Sequence, residues 1–314
     1  MVLLGVACSL IIILKWKKIM HFAVYVLVLL LPFFSCEARS HKPKKEQFQY
    51  ELSACAMFQN EAPFLKEWIE YHRMLGVEHF YLYNNSSTDD FHAVLDPYVK
   101  AKIVELKDWP SPADKDWTPY QHSAIWDAIT ISKDKTKWLA MIDIDEFIVP
   151  HYTESLIQFL KPYDKMPGIA GVVINWQMFG TSGVWEIPDN MLMIECLTHK
   201  AIKTWGHNQN QKSIVKPKYC NGHWIHYGNF IPGWGHRQSL NCGPWPHIDE
   251  IQVNHYWLRN EKWMREVKAP RRARYEGAEW SEAVIQSYIE QTSTDIDISI
   301  QRFVPALKQR LKKS

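Results

Sequence analysis

Short apolar runs alternate along this chain with stretches whose apolar residues recur at helical spacing. Leu52 to Phe58 is small and apolar, as a buried strand is. Asn60 predicts a helix cap, Glu61 and Pro63 its first turn, and Phe64, Leu65, Trp68, Ile69 and Leu75 its buried face, with Gly76 as the stop. Val77 to Tyr83 predicts a second strand, Asn84-Asn85-Ser86-Ser87 a turn, and Phe91, Val94, Leu95 and Tyr98 a second helix. Lys102 to Leu106 predicts a third strand, Tyr120 to Ser132 a third helix, and Trp138 to Ile142 a fourth strand. Such alternation predicts an α/β fold with right-handed crossovers, its central sheet mostly parallel and flanked by helices. The second half is less regular, with Val172 to Trp176 its clearest strand and Gly180 to Gly183 a loop suited to acceptor recognition.

The fourth strand runs into Asp143, Asp145 and Glu146, three carboxylates interrupted only by Ile144. On extended chain Asp143 and Asp145 project to the same side. Carboxylates this close repel unless a cation or a basic partner sits among them, and two hard oxygen ligands suit Mn²⁺ or Mg²⁺, above all beside a substrate diphosphate. In open α/β sheets ligands bind beyond the carboxyl ends of the strands. Asn60-Glu61 follow strand one, Asn84-Asn85 follow strand two and the acidic triplet closes strand four, so three strand ends converge on one edge.

Composition narrows the field. A chain of 314 residues, 46% of them hydrophobic, can bury a full core, and a formal net charge of +2 argues against a nucleic-acid partner. Met1 to Leu14 and Met20 to Phe34 are apolar and flank Lys15, Lys17 and Lys18; each is shorter than the roughly 20 residues that span a bilayer. Residues 1–36 therefore predict a signal segment or single-pass membrane anchor, with Met20 an alternative start and Cys36 a lipidation candidate. Polar residues 37–49 read as a linker, residues 50–275 as the catalytic domain and residues 276–314 as a helical extension. Four later cysteines, Cys55, Cys196, Cys220 and Cys242, have no metal-ligand spacing; Cys220 with Cys242 is one conceivable disulfide, buried thiols the equal alternative.

Several of these segments also carry a resemblance. Phe58-Gln59-Asn60-Glu61, Glu67-Trp68-Ile69-Glu70-Tyr71-His72, Leu75-Gly76-Val77, Tyr81 to Asp89 and Trp138 to Pro150 resemble glycosyltransferase family 92. Trp176 to Gly183, Lys212 to Pro217 and Asn254-His255-Tyr256 are similar to its later signatures, in order. The resemblance implies a GT-A-like nucleotide-sugar-binding fold and sugar transfer from a nucleotide-sugar donor, often UDP-galactose, with inversion. It implies that Asp143-Ile144-Asp145 is a DxD motif holding Mn²⁺, with His226 or His255 as a further ligand. One departure stands out: Asn84 occupies a position where an aspartate is usual.

Sugar transfer needs a group that stabilises the departing diphosphate and a base for the acceptor hydroxyl. Asn60, Glu61, Asn84, Asn85 and Lys212 are donor-binding candidates, and Glu195, Asp249 and Glu250 are candidate bases. For each, a plain structural role (cap, turn or surface ion pair) competes. The acceptor expected is a glycan or glycoconjugate. Lys262, Arg265, Lys268, Arg271, Arg272 and Arg274 form a basic run that would meet donor phosphates, an anionic membrane or only solvent. Two other classes compete: a haloacid-dehalogenase-like phosphohydrolase, whose paired aspartates follow the first strand instead of the fourth, and a non-catalytic carbohydrate-binding protein.

Overall fold

The computed structural model describes residues 47–112, 115–238 and 246–313. The expected N-terminal anchor, its linker up to residue 46, and Cys242 lie outside these residues. Among the described residues no helix is long and apolar enough to cross a membrane.

The first half follows the predicted alternation: β1 (Tyr50–Phe58), α1 (Ala62–Met74), β2 (His79–Asn84), α2 (Phe91–Lys100), β3 (Val104–Asp108), α3 (Thr118–Ser132) and β4 (Thr136–Met141). After it come β5 (Glu146–Pro150), α4 (Leu156–Asp164), β6 (Ile169–Met178), a short α5 (Met193–Cys196), β7 (His199–Lys200) and β8 (Gln211–Val215). The chain continues with β9 (Cys220–His223), β10 (Gly228–Phe230), β11 (Gly235–Gln238) and β12 (Ile251–His255). A helix then begins as α6 (Glu261–Trp263), passes through a π-helical turn at Met264–Lys268 and continues as α7 (Ala269–Glu276). The last elements are α8 (Glu282–Gln291), β13 (Asp295–Ile296) and α9 (Val304–Leu311).

Four strands in the order β3-β2-β1-β4 are parallel, as expected. Beyond β4 the expectation fails, because the sheet is mixed. β8 lies antiparallel between β4 and β6, and β5 closes the sheet antiparallel to β12. The chain reverses at the acidic triplet, so β5 cannot extend β4 and must find a partner elsewhere.

Side chains alternate across the parallel strands. Leu52, Ala54, Ala56 and Phe58 of β1 join Phe80 and Leu82 of β2 against α1, α2 and α4. Cys55 and Met57 join Tyr81, Tyr83, Leu139 and Met141 against Ala124, Ile125, Ala128 and Ile129 of α3. With both faces covered, the strands read as nearly continuous apolar runs. In the expected C-terminal helical extension, Phe303, Val304 and Leu307 pack into the first of these cores. Cys55 and Cys220 are buried thiols, each pushed up to about 12 by burial.

Helix α1 fixes where β5 lies. Trp68 Nε1 donates to the Glu146 carbonyl at 2.9 Å and Tyr71 Oη to that of Ile148 at 2.9 Å. His72 accepts from the Ile148 N–H at 3.4 Å while its Nδ1 bonds the Trp68 carbonyl at 2.9 Å. Residues at i, i+3 and i+4 share one helix face, so three side chains anchor one strand. The turn between β4 and β5 is held at both ends.

Candidate functional site

Asp143 and Asp145 are not on extended chain, as the sequence suggested, but in the turn that joins β4 to β5. The turn opens into a cleft lined by Glu61, Trp117, Gln121, Trp176, His226, His255, Trp257, Lys268 and Arg271. Three elements from distant parts of the sequence bring polar groups to it.

The first is β8, whose register places Ser213 opposite Met141 and so carries Lys212 to the turn. Lys212 Nζ lies 2.7 Å from Asp143 Oδ2 and 3.3 Å from Glu146 Oε2. Gln121 Nε2 donates to the other Asp143 oxygen at 2.8 Å. Glu146 is fully buried, and its Oε2 also accepts the Asp143 N–H at 2.8 Å. Burial pushes the Glu146 carboxyl up to about 8 even with Lys212 beside it, the two aspartates adding to the rise.

The second is β12, whose pairing with β5 sets His255 opposite Glu146. His255 Nε2 lies 3.4 Å from Asp145 Oδ1 and its Nδ1 3.9 Å from Glu146 Oε1. That Nδ1 and that Oε1 are both buried, and among the described residues neither has a hydrogen-bond partner. Burial lowers the His255 pKa against the opposing pull of Asp145. His226 lines the same cleft and is pushed down to about 4 by burial and by Lys212; its Nδ1 bonds the Gln211 carbonyl at 3.0 Å. The Trp176 ring stands between the two histidines, 5.2 Å from His226 and 4.3 Å from His255.

The third is the helix from Glu261 to Glu276. Lys268 Nζ is 3.0 Å from Asp145 Oδ2. Burial alone would raise the Asp145 pKa, but Lys268, His255 and Arg259 outweigh it and hold the carboxyl well below its ordinary range. Glu61, at the N-cap position of α1 that the sequence gave to Asn60, bonds Arg259 and faces Arg271 at 3.7 Å.

The remaining candidates lie elsewhere. Asn60 adopts left-handed backbone (φ 53°), and its side chain accepts the Thr88 N–H at 2.7 Å. Asn84 links Asp108 at 2.9 Å to the Ser87 N–H, and Asn85 accepts from the Ser111 N–H at 2.7 Å. These three asparagines staple the loops behind the strand ends and are absent from the cleft lining. Both Asn84 and Asn85 begin Asn-x-Ser sequons, yet both are buried. Glu195 pairs with Lys308 at 2.6 Å and Asp249 with Lys203 at 3.2 Å; neither they nor Glu250 lines the cleft. Gln121, Trp117, Trp257 and Arg259 were not anticipated. The only signal for the helix was the spacing of Lys268, Arg271 and Arg272 at i, i+3 and i+4, which marks one face.

A mixed α/β sheet with an acidic turn at the carboxyl end of a parallel strand defines the architecture, and sequence comparison supplies the family. The pattern of glycosyltransferase family 92 matches residues 50–296, and the chain belongs to that family. A glycosyltransferase family 92 protein of Arabidopsis thaliana is 24% identical over 237 residues, covering 71% of this chain and 38% of the relative. One from Ricinus communis is 28% identical over 190 residues, covering 58% of this chain and 31% of the relative. The chain thus spans well under half the length of these curated relatives. Among solved structures, S. aureus TarS 1-349 aligns with a TM-score of 0.38 at 10% identity, covering 84% of this chain and 82% of that one. Glucosyl-3-phosphoglycerate synthase of Mycobacterium tuberculosis, in complex with Mn²⁺, UDP-glucose and phosphoglyceric acid, aligns with a TM-score of 0.27 at 15% identity, covering 39% and 42%.

Proposed function

We propose that the cleft binds a nucleotide-sugar donor, a UDP-sugar with UDP-galactose as first candidate, and passes the sugar with inversion to a hydroxyl of a glycan or glycoconjugate. Membership of glycosyltransferase family 92 supports transferase chemistry over the phosphohydrolase and the non-catalytic binding protein. Two apolar stretches before residue 36 support single-pass attachment to a membrane, with the domain in a secretory lumen.

One observation carries the reading: Asp145 Oδ1 and His255 Nε2 stand 3.4 Å apart in the cleft. Ligands of one six-coordinate Mn²⁺ or Mg²⁺ at about 2.1 Å are about 3 Å from each other. The orphaned atoms on the far side of the imidazole support the fit. In the tautomer that carries its proton on Nδ1, facing Glu146 Oε1, His255 turns its Nε2 lone pair towards Asp145 Oδ1, and a cation between the two would be held by both. Asp145 and His255 would hold such a metal, which would supply positive charge for the departing diphosphate. Asp143, already bonded by Gln121 and Lys212, is read as the outer partner that fixes the turn. Glu61 is read as holding the arginines of the cleft in place, and Trp176 as one wall of the sugar pocket.

A screen of nucleotide sugars for hydrolysis and transfer, with and without Mn²⁺, tests this function. Metal-stimulated turnover of one donor that disappears in Asp145→Ala is expected. Turnover of simple phosphate esters, with no nucleotide sugar consumed, would overturn it.

A further inference from the structure

One buried cation of the cleft has no carboxylate within hydrogen-bonding distance among the described residues. Lys212 serves Asp143 and Glu146, Lys268 lies 3.0 Å from Asp145, and Arg259 is bonded to Glu61. Arg271 is left over. It is 9% exposed, and its one ion pair among the described residues is with Glu61 at 3.7 Å, beyond hydrogen-bonding distance. Among the described residues its buried Nη2 has no hydrogen-bond partner, nor has Nε of its neighbour Arg272, whose Nη2 bonds Glu276. Buried guanidinium N–H groups without acceptors are costly, and native proteins rarely keep them unless something else supplies the acceptor.

Position says what that something is. Lys268, Arg271 and Arg272 share one helix face at i, i+3 and i+4, and all three line the cleft that holds Asp145. The guanidinium is a planar fork that matches two phosphate oxygens at once. We infer that Arg271, with Lys268 and Arg272 beside it, is an anion site for a diphosphate group. Glu61 is its positioning residue, one oxygen held by Arg259 and the other facing Arg271. That the diphosphate is the leaving group of a sugar donor rests on the function proposed above; the anion site itself does not.

Titration calorimetry with inorganic pyrophosphate, in buffer with chelator and no divalent metal, tests the site directly. Wild-type protein is expected to bind saturably, with affinity falling as salt rises. Arg271→Gln should bind roughly tenfold or more weakly. Arg272→Ala, at a half-exposed position, should fold and still lose several-fold in affinity. No binding by the wild type, or wild-type affinity in Arg272→Ala and in folded Arg271→Gln, overturns the inference; if Arg271→Gln does not fold, Arg272→Ala decides. Pyrophosphate binding that these variants weaken, in a protein that neither binds nor turns over any nucleotide sugar, upholds the anion site and removes the donor reading. Normal donor turnover and normal pyrophosphate binding in both variants does the reverse.

Discussion

Lys212 Nζ lies 2.7 Å from Asp143 Oδ2, so an ammonium on β8 secures the acidic turn at the end of β4. The same ammonium is 3.3 Å from Glu146, and its side chain is almost wholly buried. Lys212→Met keeps the volume but leaves the two carboxylates to each other. Loss of one partner of a buried ion pair costs about 3–5 kcal/mol. Thermal unfolding at pH 8 should show a clear drop in Tm. A variant as stable as wild type would mean that water or another cation already screens this corner.

His72 predicts a pH dependence. Burial pushes its pKa down to about 3 from an ordinary 6.5, so the folded protein keeps it neutral while the unfolded chain takes up a proton below about 6.5. The stability it contributes is present above that value and is lost as pH falls towards 3. His72→Gln gives up the contacts to Trp68 and Ile148 and should be less stable than wild type at pH 8. It should also lose less stability than wild type between pH 7 and pH 4. Parallel Tm curves across that range would exclude His72 as a source of acid sensitivity.

Gly76 ends α1 with φ at +105°, and a Cβ there would meet Ile157 Cγ1 at 2.7 Å. Gly76→Ala therefore combines an unfavourable backbone with a clash against α4. A loss of roughly 1–3 kcal/mol in denaturant unfolding is expected. Ile157→Ala in the same background relieves only the clash and should recover part of that loss.

Gly76 was legible in the sequence, as were the four parallel strands, because each depends on local pattern: a stop after a helical stripe, or an apolar run of strand length. The direction of β8 was not legible. Gln211 to Val215 carries no mark of which way it enters the sheet, and only its pairing with Met141 and Val173 makes it antiparallel. The chain reversal at Asp143 was hidden because Phe147 to Pro150, a separate apolar run, carries no mark of which way it enters the sheet. Asn60, Asn84 and Asn85 bond loops and lie outside the cleft lining, which local sequence could not foresee. Polar side chains at strand ends bind ligands or bind loops, and local sequence does not separate the two. Arg259 and Arg271 reach Glu61 from about 200 residues away, where a run of basic residues looks like an ordinary solvated face.

A cation shared by Asp145 and His255 and engaged by the donor diphosphate is the centre of the proposed function. Calorimetry of UDP binding in chelator and again in Mn²⁺, on wild type and Asp145→Asn, tests that most directly. Mn²⁺ should strengthen UDP binding to the wild type by roughly tenfold or more, about 1.4 kcal/mol, and have little effect on Asp145→Asn. Equal UDP affinity with and without metal in the wild type, or full stimulation by Mn²⁺ in Asp145→Asn, would contradict it.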